Sequence, residues 1–117
     1  MSITNALASV AVKDLESAVT WYEKLLGRPG SRPMATLAEW SFERGGWLQV
    51  YHLPERAGSG SFTLAVSSMA EQIMRLEQLN IDTSQRTSGE KVNTVMITDP
   101  DGNHIAFAEA IDSGVAQ

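Results

Sequence analysis

The sequence has no cysteine. A disulfide framework, a thiolate nucleophile and a cysteine-based zinc or iron–sulfur site are thereby excluded. No apolar run approaches the roughly 20 residues that a membrane-spanning helix needs, so no membrane association is expected. Positive charge is scarce: 9 Lys and Arg stand against 14 Asp and Glu, for a net charge of −5. Such a chain lacks the basic face that nucleic-acid binding or a polybasic membrane anchor requires, and neither partner is expected. Histidine is scarcer still, with His52 and His104 as its two examples. The opening residues Met1-Ser2-Ile3-Thr4-Asn5 lack a charged region followed by a long apolar core, so the expectation is a cytoplasmic protein. What remains is the composition of a folded domain: 117 residues, 43% hydrophobic and 20% charged. That length suits one domain, able to bury a core without metal or disulfide staples.

Hydrophobic periodicity divides this domain in two. Residues 6–13 alternate as a strand, with Ala8, Val10 and Val12 on one face and Leu7, Ser9 and Ala11 on the other. Asp14 is a good N-cap, and Leu15, Ala18, Val19, Tyr22, Leu25 and Leu26 follow at helical spacing until Gly27 and Pro29 end the helix. Met34 to Leu37 and Glu39 to Arg44 read as short strands. Gly45-Gly46 reads as a hairpin turn, and Trp47 to Leu53 as a further strand. The polar, glycine-rich stretch 54–60 reads as a linker. The pattern then restarts. Phe62, Leu64 and Val66 alternate, Ser68 and Glu71 form a capping box, and Met69, Ile73, Leu76 and Leu79 form a helical stripe that Asn80 ends. Short strands are expected near 83–88, 92–98 and 103–109. The chain is thus strand–helix–strand–strand–strand twice, with Val12 on Val66, Asp14 on Ser68 and Leu15 on Met69. The expected fold class is α+β: two βαβββ modules, about 6–53 and 61–110, each a curved, mostly antiparallel sheet with a helix on its outer face.

The stretch Val10-Ala11-Val12-Lys13-Asp14-Leu15-Glu16-Ser17-Ala18-Val19-Thr20-Trp21-Tyr22-Glu23-Lys24-Leu25-Leu26-Gly27 resembles the first strand and helix of the vicinal oxygen chelate superfamily. That superfamily includes glyoxalase I, extradiol dioxygenases and bleomycin-resistance proteins. The stretch Asp99-Pro100-Asp101-Gly102-Asn103-His104-Ile105-Ala106-Phe107 resembles its last hairpin. The resemblance implies a homodimer in which modules of two chains together form two sites. It also implies that enzymes of this type chelate a divalent ion with His and Glu from four equivalent strands. Here those positions carry Leu7, Gln49, Ser61 and Ala106. Leu and Ala offer no lone pair, and a neutral amide and a hydroxyl do not replace a His/carboxylate set. The expectation is an inner site with no metal and no cofactor.

Other candidate sites reduce to simpler readings. Asp99, Asp101 and Asn103 start like a calcium loop, but His104 and Ala110 stand where that loop needs Gly and Glu, so the segment reads as a turn. Gly58-Ser59-Gly60-Ser61 lacks the lysine and helix start of a phosphate-binding loop. His52 has no assigned role. Strand phase puts Trp47, Gln49 and Tyr51 on the same concave face as Leu7, Ser9, Ser61, Thr63 and Ala106, with Trp40 a further candidate on the neighbouring strand. Such a wall suits a flat, partly apolar ligand, aromatic or cationic, oriented by the polar side chains. The first expectation is therefore a metal-independent small-molecule-binding protein of the drug-sequestering, bleomycin-resistance type. A second is a glyoxalase- or dioxygenase-like enzyme, with His104, Glu39 or Glu109 as acid/base or with a metal on other ligands. A third is a structural or interaction module whose aromatics fill an interface.

Overall fold

The computed structural model describes residues 2–111. Two four-stranded mixed sheets, each with one helix, are built from repeated βαβββ modules. The first module contains β1 (Leu7–Val12), α1 (Leu15–Leu26), β2 (Ser31–Met34), β3 (Leu37–Ser41) and β4 (Trp47–His52). The second contains β5 (Ser61–Ala65), α2 (Met69–Gln78), β6 (Arg86–Ser88), β7 (Val92–Thr98) and β8 (His104–Ala110). Strand order is β1-β4-β3-β2 in one sheet and β5-β8-β7-β6 in the other, the same order twice. In each, the first strand pairs parallel with the last and the remaining pairs are antiparallel. The chain divides into two compact units, Met1–Gly60 with Pro100–Asn103, and Ser61–Asp99 with His104–Gln117.

Alternation decides which face of each strand is buried. In the first unit Val10, Val12, Ala38, Trp40, Leu48 and Val50 form the covered face of the sheet, and Leu15, Ala18, Val19, Tyr22 and Leu25 form the inward stripe of α1. In the second, Phe62, Val95, Ile97, Ile105 and Phe107 are buried with Met69 and Leu76 of α2. Each large side chain so buried contributes about 1.5–3 kcal/mol. The helix ends form as their sequences dictate. Asp14 accepts from the Ser17 backbone N–H, and Gly27 takes the left-handed conformation (φ 77°) and donates to the Glu23 carbonyl. Ser68 caps α2 by accepting from the Glu71 N–H.

The segment 34–37 differs from the sequence reading. It is not one strand: Met34 ends β2, Leu37 begins β3, and the two pair across a turn at residues 35 and 36. The stretch 54–60 runs between β4 and β5. It holds a 3-10 turn at Pro54–Arg56, and it packs against the turn of residues 100–103 in the same unit. Gly58 has φ +87°, and a Cβ there would lie 2.3 Å from the Asp101 carbonyl oxygen. Asn103 is fully buried: its Oδ1 accepts from the Gly60 N–H at 2.8 Å, and its Nδ2 donates to the Ala11 carbonyl at 2.9 Å. The Asp99-Pro100-Asp101-Gly102 segment is a turn, and its asparagine is a structural clasp.

Candidate functional site

The helix-free face of the first sheet follows from its register. Leu7, Ser9 and Ala11 of β1 lie beside Trp47, Gln49 and Tyr51 of β4, and these lie beside Ser41, Glu39 and Leu37 of β3. A polar row crosses three strands at its middle. Ser9 Oγ donates to Gln49 Oε1 at 2.8 Å, and Gln49 Nε2 donates to Glu39 Oε2 at 2.7 Å. Apolar groups flank the row on both sides. Leu7 and Trp47 pair across strands and are 49% and 36% exposed. Toward the other end, an open cleft of about 390 Å³ is lined by Ser9, Met34, Thr36, Leu37, Gln49, Tyr51 and His52. Its lining combines Tyr51 and the apolar Met34 and Leu37 with Ser9 and Gln49 of the polar row.

Of the residues expected from sequence, this unit brings together Leu7, Ser9, Trp47, Gln49 and Tyr51 on one face. Trp40 is elsewhere. Its register partner is Leu48, so it shares the covered face, where it is 1% exposed. Its ring centroid is 6.1 Å from that of Tyr22, and its indole N–H donates to the Arg28 carbonyl at 3.0 Å. Trp40 is a core residue and makes no wall for a ligand. In the second unit Ser61 lies beside His104, and Thr63 beside Ala106, on that sheet's helix-free face. Ser61, Thr63 and His104 are exposed and Ala106 is half-buried.

The carboxylates set aside as acid/base candidates have other roles. Glu109 pairs with Asn93 and not with the open row. Its Oε2 accepts from the Met69 N–H at 2.9 Å, at the start of α2, and its Oε1 accepts from Asn93 Nδ2 at 3.2 Å. It is a helix anchor. Glu39 is a member of the polar row. The sequence reading missed its place there, along with Met34, Thr36, Leu37 and His52 in the cleft. One signal could have found it. The Phe42 N–H donates to the Gly46 carbonyl across the Gly45-Gly46 turn, and counting outward from that turn puts Ser41 opposite Trp47 and Glu39 opposite Gln49.

The donor set does not fit the divalent ion of the chelating enzymes. Leu7 has no lone pair, Gln49 has its amide committed at both ends, and Ser61 and Ala106 add a hydroxyl and a methyl. Among the described residues no three or more His, Asp or Glu side chains cluster as a metal site would require. Nor is any helix among them long and apolar enough to cross a membrane.

No protein-family model matches the chain, and a search of curated proteins finds no significant match. Solved structures do match. A glyoxalase/bleomycin resistance protein from Catenulispora acidiphila is 33% identical over 92% of this chain and 98% of its own, with a TM-score of 0.81. TnmS3, an antibiotic-binding protein from Streptomyces sp., is 22% identical, covering 94% and 98% of the two chains, with a TM-score of 0.80. A lactoylglutathione lyase from Agrobacterium tumefaciens is 21% identical, covering 93% and 94%, with a TM-score of 0.75. The last two share the fold. The first shares a third of its sequence along almost the whole length of both chains, and on that likeness, together with the duplicated βαβββ architecture, this chain belongs to the glyoxalase/bleomycin resistance protein family of the vicinal oxygen chelate superfamily.

Proposed function

We propose that this protein binds a small, flat, partly apolar organic molecule without the aid of a metal, and acts by sequestering it. The observation that carries this reading is the helix-free face of the first sheet. There Gln49, at one of the positions that the resemblance gives to metal ligands, is tied into a hydrogen-bonded row, Ser9–Gln49–Glu39, between an exposed Trp47 and the Tyr51 cleft. Aromatic and apolar walls supply affinity for such a molecule, and a few fixed polar groups orient it. The antibiotic-binding protein with this fold agrees in kind, and the negative charge of the chain favours a cationic ligand at long range. In this reading the protein is a homodimer, which covers sheet edges and faces that one chain leaves open.

The test is a thermal-shift panel on chelator-stripped protein, with Ni, Zn, Mn, Fe(II) and Co salts in one arm and aromatic and cationic antibiotics in the other. A ligand at 100 times its dissociation constant adds about 2.7 kcal/mol to the native state, which raises Tm by several degrees in a domain this small. Stabilisation is expected from an organic compound, and it is expected to vanish in Gln49→Leu. Saturable stabilisation by one metal salt, near one ion per chain, would overturn the reading and restore a metal-dependent enzyme.

A further inference from the structure

The polar row has a fixed direction, and the direction says what a ligand brings to it. Glu39 ends the row with a carboxylate, which only accepts hydrogen bonds. The two ends of a glutamine amide have nearly the same shape, and here the carboxylate decides between them. Gln49 turns its nitrogen to Glu39, with Nε2 donating to Oε2 at 2.7 Å. The carbonyl end is then left for Ser9, and the Ser9 hydroxyl gives its one proton to Gln49 Oε1 at 2.8 Å. Ser9 lines the cleft with lone pairs and no proton to offer. Both ends of the row are therefore acceptors, and its middle offers one remaining amide hydrogen.

We propose that the cleft selects flat ligands that present an N–H or O–H donor to Ser9, and that Glu39 is the positioning residue that sets this polarity through Gln49. The inference rests on the binding reading above and adds the ligand's chemical class: a ring N–H, an aryl amine or a phenol, in place of a carbonyl or ether of the same shape. A ligand acceptor placed at Ser9 meets lone pairs on both sides, and a buried polar group left without a partner weakens binding.

Indole and benzofuran test this. They have the same bicyclic shape and differ in a ring N–H against a ring oxygen. Their dissociation constants are measured by NMR titration, following the Gln49 side-chain amide. Wild-type protein is expected to bind indole about five- to tenfold more tightly than benzofuran. In Ser9→Ala the ratio is expected to fall to about one. In Glu39→Gln, whose amide can donate to Gln49 and lets the row reverse, it is expected to fall below about twofold. The ratio is a readout that a merely structural role of Glu39 would not move, because general damage weakens both probes alike. Equal affinities in the wild type, or a ratio that survives Glu39→Gln, would overturn the inference and leave the binding reading standing. Binding of neither probe would overturn both.

Discussion

Asn103 has a side chain whose role no local pattern announces. It follows a turn and precedes a strand, where an asparagine is unremarked. In the folded chain it is fully buried, and its amide completes the Gly60 N–H and the Ala11 carbonyl. Asn103→Ala leaves a backbone donor and a backbone acceptor without a partner, at an expected cost of about 2–4 kcal/mol in urea unfolding with an unchanged m-value. A loss below about 1 kcal/mol would mean that water replaces the amide. Asn103→Asp retains the acceptor for Gly60 but turns a carboxylate oxygen on the Ala11 carbonyl, so it is not expected to rescue. Trp40 makes the same point in reverse. Its place in a strand was legible, but the face was not, because the sign of an alternating pattern depends on which partner each strand faces. Pairing with Leu48 settles it.

Among the elements, the two helices do equivalent jobs with unequal caps. α1 is closed by its own Asp14 and Gly27, both legible from sequence. α2 has Ser68 in the corresponding place, and it adds Glu109, which arrives from β8 to accept from the first N–H of the helix. A carboxylate there also faces the positive end of the helix dipole. Glu109→Ala is expected to cost about 1–2 kcal/mol. The loss should appear first as faster hydrogen exchange at the amides of the first turn of α2, with the first unit's amides slowed as before. Equal acceleration everywhere would show that Glu109 does more than hold this helix. Sequence separation explains why this contact was missed: its partners are 40 positions apart, and periodicity reports on neighbours alone.

At the scale of the whole molecule, three exposed carboxyls are held below their ordinary pKa. The Ser17 hydroxyl and N–H hold the Asp14 carboxyl below its ordinary 3.8. The Arg32 guanidinium holds Glu16 below 4.5, and the backbone N–H and hydroxyl of Ser84 hold Asp82 below 3.8. A carboxyl whose folded value is depressed adds stability that is complete above its unfolded value and is lost as pH falls through the folded one. All three therefore act on the acid side. Tm is expected to stay level from about pH 7 to about pH 5, then to fall below about pH 4. In Asp14→Asn with Glu16→Gln the fall should be shallower, as measured by calorimetry across that range. A steeper fall in the double variant would overturn the assignment.

The same scale shows what sequence determined and what tertiary structure decided. The duplicated order of strands and helices, the N-cap residues Asp14 and Ser68, the Gly27 end of α1 and the Asp99–Gly102 turn could all be read along the chain. Each rests on residues within a few positions of one another, where spacing is physics enough. The covered faces are similar in the two modules, since any helix-backed sheet needs apolar residues there. The open faces are not. Glu39, Gln49 and Tyr51 of the first sheet answer to Met96, Ala106 and Ala108 of the second, which hold the same places in their strands. Nothing in the fold requires either set, because an uncovered face adds little to stability and its residues can vary. Which of them meet was decided by register. Ser9, Glu39 and Gln49 lie up to 40 residues apart and form one hydrogen-bonded row only because β1 and β3 both pair with β4.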